Sequence, residues 1–132
     1  MIVGIGHDIT SLERVKKLLD GKAGPRFITR ILTAAEQHMA AAVNGSRRIE
    51  FVAGRFAVKE AVSKAFGCGL GSRLAFHDIE VIRDQAGKPV CRLSEDAWER
   101  LGYSMNGTVI HVTITHDHSL ASAFVVVERI DN

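Results

Sequence analysis

The sequence predicts an α+β fold: a largely antiparallel sheet packed against one long helix and several short helices. Three observations predict it. Helix-start signals crowd the first half, where Thr10 with Glu13 and Thr33 with Glu36 each read as a capping box. β-branched and apolar runs crowd the second half, at 79–83, 108–115 and 122–128. Between them lies the longest helical stretch, 47–66, stopped by Gly67-Cys68-Gly69-Leu70-Gly71.

Taken in order, residues 2–9 alternate as a strand. Ile2, Gly4, Gly6 and Asp8 share one face, and Val3, Ile5, His7 and Ile9 share the other. Thr10 is expected to cap the helix that follows. Pro25 opens a second short helix through Leu32, because proline lacks only an N–H that the first turn leaves unpaired anyway. Thr33 caps an Ala-rich helix ending near Asn44-Gly45. In 47–66 each residue turns about 100° from the last, so Phe51, Val58, Val62, Ala65 and Phe66 make one apolar stripe. The turn Asp84-Gln85-Ala86-Gly87-Lys88-Pro89 joins the strand at 79–83 to a short strand ending at Leu93. Ser94 caps a brief helix with Glu95 and Asp96 in its acidic first turn, ending before Asn106-Gly107. The runs 108–115 and 122–128 flank His116-Asp117-His118-Ser119 as an antiparallel hairpin. Trp98 and Tyr103 are expected to pack the brief helix.

The 132 residues are enough for a single domain, 1–132, with one core and no need of staples. Cys68 and Cys91 are far apart and lie in no CxxC or Cys/His spacing, so they read as reduced thiols of a cytoplasmic protein rather than a disulfide or a zinc site. The opening MIVGIGHD has no basic segment before its apolar residues, which argues against a secretory leader, and no apolar run reaches membrane-spanning length. A net charge of +2 gives no reason to expect nucleic acid. Its distribution is uneven: Arg14, Lys16, Lys17, Lys22, Arg26 and Arg30 face only Asp20 between positions 14 and 30. Such a face is either solvated or attracts an acidic partner or a phosphorylated ligand.

Two carboxylates stand out. Asp8 shares a strand face with two glycines, so nothing bulky shields it, although the same glycines would also serve close helix packing. Glu60 lies nearly opposite the apolar stripe of the long helix, with Lys64 one turn further on and Ala53, Phe56 and Ala57 as neighbours. Charges beside packed apolar residues need partners. One strand aspartate and one helix glutamate suit magnesium, which keeps several waters and takes one or two carboxylates together with substrate phosphates. A lysine beside such a pair can neutralise charge on a transferring phosphoryl group or its leaving group. The glycines at 67–71 follow a helix rather than precede one, so they are a C-cap and loop before they are a phosphate cradle. Among six histidines, His116 is a candidate for holding a phosphate, while His7, His38, His77 and His111 read as structural or surface residues.

Four segments together resemble one family. Gly4-Ile5-Gly6-His7-Asp8-Ile9 is similar to the GIGxDI opening of holo-acyl-carrier-protein synthases, the small type of 4'-phosphopantetheinyl transferase. Residues 54–65, GRFAVKEAVSKA, resemble that family's GRFAxKEAxxKA helix, and Gly87-Lys88-Pro89 and Val112-Thr113-Ile114-Thr115-His116 resemble two further segments in the expected order. The resemblance covers nearly the whole chain. It implies the 4'-phosphopantetheinyl transferase fold and transfer of the 4'-phosphopantetheine arm of coenzyme A to a serine of apo acyl carrier protein. It implies that Asp8 and Glu60 hold Mg2+ and that Lys64 contacts the coenzyme A phosphates. Arg55, Gly67, Pro89 and His116 would line the coenzyme A site, with His116 near the ribose 3'-phosphate. Arg14 and Arg26 match basic positions that meet the acidic carrier protein, and a homotrimer with sites at subunit interfaces is implied, with neither nucleic acid nor membrane involved.

The sequence also departs from the family pattern. His7 and Val58 stand where apolar residue and alanine are common, Asp117 follows His116 where a hydroxyl residue is frequent, and Thr10 stands where larger transferases carry another carboxylate. His7 is expected to alter packing behind the metal site. On residues alone two other activities fit: a magnesium-dependent nucleotide transferase or pyrophosphohydrolase, which would turn over nucleotide without a carrier, and a non-catalytic module docking an acidic protein.

Overall fold

The computed structural model describes residues 1–130. Its first strand, β1 (Ile2–Ser11), is the element on which the site is later built. It pairs antiparallel with β5 (Leu120–Arg129), and β5 pairs antiparallel with β4 (Thr108–His116), giving a three-stranded sheet of order β1-β5-β4. A separate antiparallel hairpin, β2 (Ile79–Arg83) with β3 (Pro89–Leu93), makes a second sheet. The expected antiparallel character therefore holds, but it is divided between two sheets.

Between β1 and β2 lie four helices: α1 (Leu12–Asp20), α2 (Gly24–Ile31), α3 (Ala34–Ala41) and α4 (Gly45–Ala65). A fifth, α5 (Glu95–Leu101), follows β3 and ends on Gly102 in the left-handed conformation. The cap of α1 is Ser11, whose hydroxyl accepts from the Arg14 backbone N–H, not Thr10 as the sequence suggested. Pairing of β1 runs two residues further than expected, so Thr10 is still a strand residue and its hydroxyl is free for Asp8. The Thr33–Glu36 capping box forms as expected, and Pro25 sits in the first turn of α2.

Helix α4 is buried on almost every side, as a helix at the centre of a domain must be. One flank, with Val58 and Val62, packs into a cluster with Ile79, Val81, Leu93, Trp98, Val125 and Val127. The other, with Val52 and Ala53, packs against Leu12, Val15, Ile31 and Leu32 of the first helices. Phe66 meets Trp98 and Tyr103 edge-on at 6.0 and 5.5 Å, so both rings do pack α5 as the sequence implied.

Two contacts fix how α4 sits. Gly4 and Gly6 of β1 face it so closely that a β-carbon on either would lie 1.8 Å from a helix carbonyl oxygen, Ala65 or Ala61 respectively. Only glycine permits that approach. On the opposite side, fully buried Lys59 donates to the Ile31 carbonyl at 2.7 Å, the Phe76 carbonyl at 3.1 Å and Glu36 Oε1 at 2.6 Å. Glu36 is equally buried, and its Oε2 accepts from the Val81 N–H at 2.8 Å. One ammonium thus ties α4 to α2, α3 and the turn before β2, and Glu36 carries the link on to β2. Burial pulls the Lys59 ammonium below the usual lysine range, and the Glu36 carboxylate opposes that shift.

Gly6→Ala, with backbone in the way, is expected to cost about 3 kcal/mol or more of unfolding free energy, read by urea denaturation. Lys59→Met strands the Glu36 charge and is expected to cost about 3–5 kcal/mol. Adding Glu36→Gln, which removes the charge but keeps an acceptor for the Val81 N–H, should recover part of that loss; a Lys59→Met protein as stable as the parent would remove the pair as an anchor.

Candidate active site

With β1 held against α4 by its glycines, the next inward position of the strand, Asp8, comes to lie beside the helix face that carries Glu60 and Lys64. The Asp8 carboxylate is held at both oxygens. Oδ2 accepts from the Thr10 hydroxyl at 3.0 Å, and Oδ1 lies 3.2 Å from the Lys64 ammonium. Lys64 also donates to the His7 carbonyl at 3.0 Å, so it bridges helix and strand. Its side chain remains 53% exposed, against 16% for Asp8, so its charge stays available to a ligand. Partial burial pushes the Glu60 carboxyl up, the Asp8 charge adds to that shift, and Lys64 opposes it. Two carboxylates that repel one another across a cleft are a donor pair whose repulsion a bound cation would relieve.

Asp8 and Glu60 line one cleft of about 510 Å³. One wall is apolar, with Phe27 and Phe76 each packed against Phe56 at ring distances of 6.0 and 5.9 Å. Arg14 and Arg30 are also among its lining residues. Arg26, the other basic position singled out from the sequence, is exposed and lies outside that lining. Lys16 and Lys17 of the same basic stretch are paired within α1 to Asp20 at 2.7 Å and Glu13 at 3.4 Å. Nothing in the local sequence distinguishes Arg30 from its neighbours; the helical phase of α2 decides it.

The remaining expected residues open elsewhere. Arg55 and His116 line a second pocket of about 430 Å³ with Arg47, Arg83, Glu50 and Met39. Arg55 is buried, its guanidinium carbon stands 3.9 Å from the centre of the Phe51 ring, and its Nε has no hydrogen-bond partner. Burial and the neighbouring Arg83 bring the guanidinium down to about 10, against the pull of Glu36, so it is charged at neutral pH. Pro89 lines a third pocket with Phe124, Val126 and His111 on the outer side of the sheet. Gly67 follows the Phe66 C-cap of α4 in an exposed turn with φ +70°. One chain therefore brings together Asp8, Glu60, Lys64 and Arg14, with the Gly67 N–H on the Lys64 carbonyl at 3.0 Å, and places Arg55 with His116, and Pro89, in other pockets.

Among the described residues no group of three or more His, Cys, Asp or Glu side chains gathers as a metal cluster. The acidic set of the cleft is the Asp8–Glu60 pair. It fits the donor set magnesium takes when water and substrate phosphates complete the shell.

The model of the 4'-phosphopantetheinyl transferase superfamily matches residues 4–122. The chain belongs to that superfamily. A holo-[acyl-carrier-protein] synthase of Bacillus cereus strain AH187 is 46% identical over 128 residues, 97% of either chain. The Bacillus anthracis holo-(acyl-carrier-protein) synthase, solved in complex with CoA (3',5'-ADP), is 45% identical and superposes with a TM-score of 0.83 over 98% of both chains. The Neisseria meningitidis holo-[acyl-carrier-protein] synthase is 33% identical with a TM-score of 0.85, over 98% of this chain and all of the other.

The departures from the phosphopantetheinyl transferase pattern resolve locally. His7 points to the outer face of the sheet, where Nε2 pairs with the Ser122 hydroxyl at 2.9 Å and the ring meets Phe124. It does not pack behind the carboxylates, contrary to expectation, because alternate strand residues face opposite ways. Val58 is wholly buried in the core. Asp117 closes the β4–β5 turn, accepting from the Ser119 and Leu120 backbone N–H groups at 2.8 Å, bonds that hold its carboxyl below the usual range.

Proposed function

We propose that this protein is a holo-acyl-carrier-protein synthase: it transfers the 4'-phosphopantetheine arm of coenzyme A to a serine hydroxyl of apo acyl carrier protein, releasing 3',5'-ADP, in support of fatty acid synthesis. The observation that carries the reading is the Asp8–Glu60 pair, brought from β1 and α4 to one cleft that Arg14 also lines, with the Lys64 ammonium 3.2 Å from Asp8. Near-full-length identity to holo-acyl-carrier-protein synthases supports the substrate pair.

Asp8 and Glu60 are the residues that would hold Mg2+, which when bound supplies Lewis-acid polarisation of the phosphorus under attack. The protein's own groups do the rest. Thr10 fixes the Asp8 carboxylate, and Lys64 carries the half-exposed cation that would meet the departing phosphate and neutralise it. The serine gives up its proton to a water or to one of the two carboxylates and attacks in line. Arg14 and Arg26 present positive charge to the acidic carrier, which raises the encounter rate more than the final affinity; Arg30 adds to the same rim. Arg55, Gly67, Pro89 and His116 complete the coenzyme A site.

Arg55, His116 and Pro89 line pockets that the two carboxylates do not, which favours a homotrimer with each site shared between subunits. The uncovered outer face of the sheet supports it: Ile5 is 61% exposed, Ile9 57% and Phe124 43%, side by side on β1 and β5. Contiguous apolar surface of that kind is normally covered by a partner. Among the described residues no helix is long and apolar enough to cross a membrane, and both cysteines are free, which suits a cytoplasmic enzyme.

Incubation with apo carrier protein, coenzyme A and Mg2+ should add the phosphopantetheine mass to the carrier. Glu60→Gln should lower that transfer by on the order of a thousandfold with the fold intact; full activity would remove Glu60 from the chemistry, and nucleotide turnover without carrier would favour a hydrolase. Phe124→Asp should leave a monomer by light scattering and lose activity with it, whereas a fully active monomer would end the shared-site reading.

A further inference from the structure

Four cationic or basic side chains, Arg47, Arg55, Arg83 and His116, line the second pocket, and Glu50 is the one carboxylate among its lining residues. A carboxylate in such a place opposes an anionic ligand unless its charge is already committed. Glu50 is committed: its Oε2 lies 2.8 Å from His116 Nδ1. That contact joins the first half of α4 to the last residue of β4.

His116 needs such a tether. It ends its strand beside the Asp117 turn and its side chain is half-exposed, so without a partner the imidazole would spread over several rotamers and pay their entropy on meeting a ligand. A carboxylate oxygen 2.8 Å from Nδ1 favours the ring tautomer and orientation that leave Nε2 for a ligand. Buried Arg55, its Nε without a protein partner and its guanidinium seated on Phe51, marks the same pocket independently as one built around a fixed positive charge.

We infer that Glu50 is a positioning residue for coenzyme A: its carboxylate accepts from His116 Nδ1 and presents Nε2 to a phosphate of the ligand. The inference rests on the reading above that Arg55 and His116 belong to the coenzyme A site. It differs from a purely structural role for Glu50 in moving only one kinetic parameter.

Steady-state transfer by the intact protein tests it. Glu50→Ala should raise KM for coenzyme A about tenfold, with kcat and KM for apo carrier protein within about twofold of the parent. Glu50→Gln, whose carbonyl oxygen still accepts from Nδ1, should recover most of that affinity. In a His116→Ala background Glu50→Ala should have no further effect. A Glu50→Ala protein that binds coenzyme A more tightly would show the carboxylate competing for the imidazole and overturn the inference, as would an unchanged KM, a fall in kcat alone, or an equal effect with His116 absent. If His116→Ala raises KM and Glu50→Ala does not, the inference falls and the site stands; if His116→Ala leaves KM unchanged, both fall.

Discussion

The close approach of β1 to α4 is the constraint on which the rest depends. Two glycines two residues apart let a strand lie on a helix with no side chain between them, and the next inward position is Asp8. A side chain at either glycine would lift the strand off the helix by an amount comparable to a carbon radius. The Asp8 carboxylate would then leave the reach of Lys64, now at 3.2 Å, and the mutual repulsion that raises Glu60 would fade with distance. Chemistry and packing are the same contact seen from two sides.

A strand pressed onto a helix fixes only one direction, and Lys59 supplies the others. Residues 59 and 60 are sequence neighbours on a helix, so they point about 100° apart. Lys59 is therefore free to be anchored in the interior while Glu60 faces the cleft. The anchor reaches the Ile31 and Phe76 carbonyls, which belong to segments whose side chains also line that cleft. An uncompensated ammonium at that depth would be ruinous, and Glu36 with the carbonyl acceptors makes it tolerable. The ion pair is better understood as setting the rotation of α4 than as adding stability, since an apolar pair of the same volume could serve stability equally well.

Periodicity carried the sequence reading far, and its failures have local causes. Strand alternation put Asp8 on the glycine face, and helical phase put Glu60 beside Ala53, Phe56 and Ala57, both of which the structure reproduces. The same alternation already puts His7 on the face opposite Asp8, which is at odds with its packing behind the carboxylates. Ser11 rather than Thr10 caps α1 because strand pairing to β5 continues through Ser11, a tertiary effect invisible in the local signal. Lys59 and Glu36 lie 23 positions apart, and nothing in a single sequence says that they meet. Glu36 was already accounted for as a capping residue, which it is; its other oxygen holds β2. The separation of Arg55 from Glu60 was in principle legible, since five residues along a helix is about 140° of turn, so the two could not face one cleft of one chain.

That angular argument ties the two pockets to the bare sheet face. Arg55 and Glu60 leave α4 in different directions, and a ligand that needs both must either wrap around the helix or find the second one on another copy. Wrapping is obstructed on either side: Lys59 is buried in the shorter arc between them, and Ala57 and Val58 in the longer one. The proposed homotrimer supplies a second copy, and the apolar row Ile5, Ile9 and Phe124 is where it would be seated. In such an arrangement each pocket keeps its own internal electrostatics. In the carboxylate cleft Thr10 and Lys64 bond to Asp8, and Lys64 opposes the rise of the Glu60 carboxyl without reversing it. The cationic pocket needs its positive charge undiluted, so its single carboxylate is turned onto a histidine. Keeping these two charge sets on opposite faces of one helix prevents Arg55 from neutralising Glu60 in the separate chain, and lets a ligand bearing phosphates at both ends be what brings them to act together.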